Sequence, residues 1–140
     1  MISRTARMAE YALRTSSRSF SSSVRRSDHF LKANRETFDR VIETRSEDRV
    51  VLVDFYADWC GPCKMLSPLL EEVTADEKVK SGSDRALDLV TVDTDVEQEL
   101  AMQYGIRSLP TVIAFKDGKP VSQFMGAVPA PALHRFIESL

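Results

Sequence analysis

The 140-residue sequence predicts an α/β fold: a mixed sheet of roughly five strands flanked by helices on both faces. Three observations predict it. Residues 50–57 are almost continuously apolar, as a strand covered by helices on both faces must be. Stretches of helical periodicity alternate with this strand and with a second at Leu87–Asp93, which implies parallel strands joined by crossover helices. Nearer the C-terminus, Asp117-Gly118 separates two further strand-like runs and signals a hairpin, hence an antiparallel strand.

In chain order, His29-Phe30-Leu31-Lys32 is short enough for an edge strand. Asn34 can cap a helix in which Phe38, Val41 and Ile42 form an i, i+3, i+4 stripe. After the strand at 50–57, Leu66, Leu69, Leu70 and Val73 mark a long helix, with Glu71 and Glu72 outside the stripe. Pro68 falls inside that helix and is expected to kink it, since it donates no backbone bond and its ring crowds the Lys64 carbonyl. Residues 80–84 read as a loop before the strand Leu87–Asp93. Thr94 and Glu97 read as a capping box for a helix burying Val96, Leu100 and Tyr104 and ended by Gly105. Strands Thr111–Lys116 and 121–125 flank the hairpin turn. Pro129 and Pro131 open a last helix with Leu133, Phe136, Ile137 and Leu140 as its core stripe. Met65, Met102 and Met125 read as core filler. The pattern βαβαβα followed by ββα contains no repeat and no second domain.

The net charge of −2 conceals an asymmetry. Residues 1–27 carry six arginines and one acid, while the rest carries 13 basic and 20 acidic side chains. An acidic globular part is not expected to bind nucleic acid. No apolar run approaches the roughly 18 residues of a membrane span. Arg4, Arg7, Arg14 and Arg18 share a helical face, with Ile2, Ala6, Ala9 and Leu13 elsewhere on the wheel. Lacking the continuous apolar stretch of a secretory signal, residues 1–27 have the composition of a mitochondrial transit peptide. Arg18-Ser19-Phe20-Ser21-Ser22 also resembles sites cut by the matrix processing peptidase. The expectation is a matrix protein whose mature start lies between Ser21 and Asp28, with one domain over residues 28–140. A chloroplast address and a plain basic tail are the alternatives.

The only two cysteines lie in Trp59-Cys60-Gly61-Pro62-Cys63-Lys64. Two are too few for a disulfide scaffold or a four-thiolate zinc site. An apolar strand leads into this turn and an amphipathic helix leads out, which puts Cys60 at a helix start. Unpaired N–H groups and the positive end of the macrodipole there favour a thiolate and lower its pKa. Pro62 fits the first helical turn, where its missing N–H costs nothing. Cys63, a turn further in, is expected to be less exposed and suited to resolving a mixed disulfide. A static bridge is the alternative, and it is ill suited to a reducing compartment. Asp54 interrupts the apolar strand; burial is expected to raise its pKa, so that it exchanges protons near neutrality. A structural pair with a lysine is its alternative reading. His29 and His134 have no metal-ligand spacing, and Asp93, Asp95, Glu97 and Glu99 read as stabilisers of a helix N-terminus rather than a calcium site.

The stretch VDFYADWCGPCKM, residues 53–65, resembles the active-site segment of the thioredoxin family, and the element order agrees with the thioredoxin fold over residues 29–140. The resemblance implies a protein-disulfide reductase with Cys60 as nucleophile, Cys63 as resolving thiol and a redox-active Cys60–Cys63 disulfide. It places Asp54 beneath Cys63, with a part in deprotonating it through water. Members often carry a lysine near this aspartate; the matching position here is Thr91, which disfavours a buried ion pair. Arg107-Ser108-Leu109-Pro110-Thr111 resembles the family's cis-proline loop, in which Leu109 would offer its backbone to an extended substrate segment. Trp59, Gly61, Pro62, Leu109, Pro110, Gly126 and Ala127 would then form a mostly apolar docking surface, Gly126 allowing close backbone approach. No bound cofactor is implied: electrons come from NADPH through thioredoxin reductase and pass to disulfide-containing proteins such as peroxiredoxins. A monomer is expected. Two other readings stay open, a disulfide oxidase or isomerase of the same fold and a docking subunit with incidental thiols. The first usually has other residues between the cysteines and a secretory address.

Overall fold

The computed structural model describes residues 26–140; residues 1–25, which hold the arginine-rich face expected to carry the address, lie outside them. The elements are β1 (His29–Phe30), α1 (Arg35–Arg45), β2 (Val50–Tyr56), α2 (Gly61–Ala75), β3 (Leu87–Asp93), α3 (Gln98–Gln103), β4 (Thr111–Lys116), β5 (Lys119–Met125) and α4 (Ala130–Glu138). They build one five-stranded sheet in the order β1-β3-β2-β4-β5. β1, β3 and β2 are parallel, β4 pairs antiparallel with β2, and β5 pairs antiparallel with β4, so the expected mixed sheet is present.

Alternation along the central strand explains the layers. Val51, Val53 and Phe55 face Phe38, Val41 and Ile42 of α1 and Leu100 of α3. Val50 and Leu52 face the opposite way, against Leu66, Leu70 and Val73 of α2 and Leu133 and Ile137 of α4. Full burial of a side chain such as Phe38 or Leu66 stabilises the fold by roughly 1.5–3 kcal/mol. Asp54 continues the second series, so the period of two that builds the core also sends its carboxyl under α2.

Local chemistry fixes the ends of the elements. The Asn34 side chain accepts the Thr37 N–H at 2.9 Å and caps α1. At the hairpin, Asp117 and Gly118 have φ of 53° and 76°, the left-handed conformations a two-residue loop requires. β5 starts at Lys119, ahead of the expected start at Val121, because Pro120 lies on an edge strand that tolerates a missing donor. α2 continues through Pro68 from Gly61 to Ala75.

Three expectations are corrected. Thr94 does not cap α3: its hydroxyl donates to the Tyr56 carbonyl at 3.1 Å, tying the end of β3 to β2. The helix instead begins at Gln98, with Glu97 at the N-cap and no side-chain cap bond. Leu100 is buried and Tyr104 half-buried, but Val96 lies in the preceding turn and is exposed. The three methionines are not core filler, with exposures of 76 % (Met65), 80 % (Met102) and 61 % (Met125). Met65 lies off the buried stripe of α2, α3 buries only Leu100, and Met125 is on the exposed side of β5.

A buried ion cluster, absent from the sequence reading, holds the start of the domain. Asp88 is fully buried and pairs with Arg45 at 2.7 Å and Arg49 at 3.0 Å. It also accepts the Asp28 backbone N–H at 2.9 Å. Among the described residues, no helix is long and apolar enough to cross a membrane.

Candidate active site

β2, the central strand, ends at Tyr56, and the next four residues lead from its C-terminal end into α2. Cys60 is the N-cap of that helix, with extended backbone (φ −83°, ψ 110°), and its Sγ accepts the Cys63 N–H at 3.3 Å. Sulfur thus occupies the place of a capping oxygen, pointed at the otherwise unpaired donors of the first turn. Pro62 sits in that turn and withdraws no donor that the helix needs. Cys60 and Cys63 are joined as a disulfide, with Cα atoms 5.3 Å apart.

The expected contrast in exposure between the cysteines is small in this oxidised form, at 4 % for Cys60 and 2 % for Cys63. The contrast lies in what each one faces. Cys60 lines an open cleft of about 480 Å³ with Trp59, Gly61, Pro62 and Leu109. Cys63 lines a separate cleft of about 250 Å³ with Tyr56, Lys64 and Ser67.

Around the first cleft, Trp59 is 72 % exposed and its Nε1 donates to Asp95 Oδ2 at 3.0 Å. Asp95 therefore fixes the ring, a role that its reading as a helix-terminus charge missed. The Leu109–Pro110 bond is cis, as the resemblance implied. Leu109 is half-buried on the cleft wall, whereas Pro110 is buried and its carbonyl accepts the Gly126 N–H at 2.8 Å. Gly126 has a φ of 87°, and a Cβ there would meet nothing within 4 Å. Backbone conformation, not crowding, is what calls for glycine. Ala127 is exposed next to it, and neither residue lines the cleft. Ile106, Arg107 and Ser108 do, although no role was assigned to them in the sequence. The signal available was their place directly before the cis-proline.

Asp54 is fully buried, in register with Thr91 of β3 and Val112 of β4. Burial pushes its pKa up to about 6; a hydrogen bond from Ser67 opposes this shift and the charge of Glu71 adds to it. Ser67 Oγ donates to Asp54 Oδ2 at 2.9 Å. Oδ1 has no hydrogen-bond partner among the described residues. No lysine bonds the carboxyl, and Thr91 is occupied with the Lys32 backbone N–H at 2.7 Å. The lysine-paired reading of Asp54 therefore does not describe this site. Ser67 was missed, yet it is four residues after Cys63 on α2, a spacing that places both on one helix face. Among the described residues, no cluster of three or more His, Cys, Asp or Glu side chains could hold a metal ion.

This geometry can perform dithiol–disulfide exchange. The paired cysteines open α2, each lines a cleft of its own, and a carboxyl able to change its charge near neutral pH is buried under the same helix.

Comparison with known proteins agrees. The family model described as Thioredoxin matches residues 29–139. The chloroplastic thioredoxin Y1 of Arabidopsis thaliana is 40 % identical over 121 residues, spanning 86 % of this chain and 67 % of that protein. Thioredoxin from Staphylococcus aureus is 40 % identical over 100 residues, 71 % of this chain and 90 % of the relative. Among solved structures, a mutant thioredoxin from Halobacterium salinarum superposes with a TM-score of 0.66 at 36 % identity, covering 80 % of this chain and 89 % of that one.

Proposed function

This chain belongs to the thioredoxin family, and on that premise we propose that it is a mitochondrial protein-disulfide reductase acting through Cys60, Cys63 and Asp54. The family and its redox-active cysteine pair make it a thiol–disulfide oxidoreductase. The observation that carries the finer reading is the position of Cys60, at once the N-cap of α2 and part of the wall of the open cleft.

In the reduced protein, the helix terminus holds Cys60 as a thiolate. Its Sγ attacks one sulfur of a substrate disulfide; a new S–S bond forms to that sulfur, and the other substrate sulfur leaves as a thiolate and takes a proton from solvent. Cys63 then gives its proton to Asp54 and attacks Cys60 Sγ. The Cys60–Cys63 bond forms, the bond from Cys60 to the substrate breaks, and the second substrate sulfur departs. Two electrons have passed from the dithiol to the substrate. Thioredoxin reductase, drawing on NADPH, restores the dithiol. Trp59, Gly61, Pro62 and the cis-proline loop receive the extended substrate segment, Leu109 through its backbone, with Pro110, Gly126 and Ala127 shaping the approach. Disulfide-containing proteins such as peroxiredoxins are the substrates. Residues 1–27 supply the mitochondrial address, supported by their arginine-rich composition with a single acid.

The test is NADPH-dependent reduction of insulin disulfides with a thioredoxin reductase, run beside Cys60→Ser. Turnover by the native chain alone supports the reading; no turnover from folded protein with free thiols overturns it. A fluorescent protein fused behind residues 1–27 tests the address. Accumulation in mitochondria is expected, and plastid or cytosolic signal overturns that part.

A further inference from the structure

Asp54 has two chemically equivalent oxygens in two different environments. Oδ2 accepts the Ser67 hydroxyl at 2.9 Å, while Oδ1 is buried with no hydrogen-bond partner among the described residues. Neither cross-strand neighbour hydrogen-bonds the carboxyl: the Thr91 hydroxyl oxygen accepts the Lys32 backbone N–H, and Val112 is apolar. Ser67 is half-buried and stands where two openings meet. One is the cleft it shares with Cys63, Tyr56 and Lys64. The other, of about 200 Å³, it shares with Lys32, Glu71 and Thr91.

We propose that Ser67 is a positioning residue for the second step of the reaction: its hydroxyl anchors Oδ2 of Asp54, commits Oδ1 to receiving the Cys63 proton, and links the buried carboxyl to both solvent-open clefts. The inference rests on the role proposed above for Asp54 and extends it by one residue. In the step itself, the Cys63 S–H bond breaks, its proton moves to Oδ1, and the Cys63 thiolate attacks Cys60 Sγ with release of the substrate thiolate. The Ser67 hydrogen bond favours the ionised carboxylate, the form able to accept that proton. The other titratable groups around this site are Glu71 and Lys64 on α2, Tyr56 on β2, Asp58 beyond it and Lys32 after β1. The Glu71 charge acts against ionisation of Asp54, and the Asp54 charge in turn helps to raise the Tyr56 pKa.

The test uses the full chain, reduced and mixed in stopped flow with a chromophoric aromatic disulfide. The first equivalent of coloured thiolate reports attack by Cys60, and the second reports attack by Cys63. Ser67→Ala keeps a good helix former within α2 and removes only the hydroxyl. The first phase is expected to be unchanged. The acidic limb of the second phase moves up by roughly one pH unit, making it about tenfold slower at pH 5.5. A carbon-13 titration of the Asp54 carboxyl follows the same upward shift, and in an Asp54→Asn background Ser67→Ala has no added effect. If Asp54→Asn displaces the second-phase profile and Ser67→Ala does not, the role of Ser67 is overturned while that of Asp54 stands. Equal slowing of both phases by Ser67→Ala also overturns it. If Asp54→Asn leaves the second phase unmoved, the reading of Asp54 fails and takes this inference with it.

Discussion

Replacing Asp54 by Asn tests whether a carboxyl has been buried at a cost to stability. The folded protein holds this group near 6, against 3.8 for the unperturbed side chain, chiefly through burial. Below the lower value both folded and unfolded chains carry the proton, and the group takes nothing from stability. As pH rises from about 4 through 6, the unfolded chain releases its proton first, so the folded state is progressively penalised. The difference of about two pH units corresponds to roughly 3 kcal/mol, fully expressed above pH 7. Asn cannot ionise but keeps the shape and an oxygen for the Ser67 hydroxyl. Its amide adds an offset that does not vary with pH, so the informative quantity is the variant-minus-native difference. Urea unfolding of the disulfide form, followed by circular dichroism from pH 3.5 to 8, is the assay. Relative to the native chain, the variant should gain roughly 2.5 kcal/mol between pH 4 and pH 8. A pH-independent difference, or one that moves against the variant as pH rises, would refute the reasoning.

Two further changes probe parts of the fold that support the site. Asp88→Asn leaves Arg45 and Arg49 without the carboxylate both pair with, and should cost about 3 kcal/mol or more at pH 7 in the urea midpoint; a loss under 1 kcal/mol would show the cluster to be dispensable. Gly82→Ala puts a Cβ into the Glu138 backbone carbonyl at the C-terminal end of α4 and should lower stability by about 1–3 kcal/mol, with the alkylation rate of reduced Cys60 unchanged. An unaltered melting temperature contradicts that expectation.

Periodicity made most of the fold legible. The continuous apolar run of β2, the helical stripes ending in Leu66-Leu70-Val73 and Leu133-Ile137, and the Asp117-Gly118 turn each carry their own local rule, and each appears where that rule puts it. α3 was less legible for a physical reason. It is short and buries only Leu100, and the polar side chains before it are engaged elsewhere: the Thr94 hydroxyl donates to the Tyr56 carbonyl and the Asp93 carboxylate accepts the Asp95 N–H, so neither caps the helix. The methionines misled because an unbranched apolar side chain fits a core and a docking face equally well. At the site, Cys60, Cys63 and Asp54 announced themselves by chemistry that conflicts with their surroundings. The partners that orient them did not. Asp95, bonded to Trp59, and Ser67, bonded to Asp54, are ordinary surface-compatible residues in sequence, and only the fold shows the atoms that they hold.

The central claim is a division of labour between two sulfurs, and trapping the mixed disulfide tests it most directly. Reduced Cys63→Ser and Cys60→Ser chains are each mixed with insulin, quenched in acid and weighed by mass spectrometry. The account predicts a stable adduct through Cys60 in the Cys63→Ser chain and almost none in the Cys60→Ser chain, because only Cys60 combines the helix N-cap with the open cleft. Adducts forming at comparable rates through either cysteine, or mainly through Cys63, would contradict it.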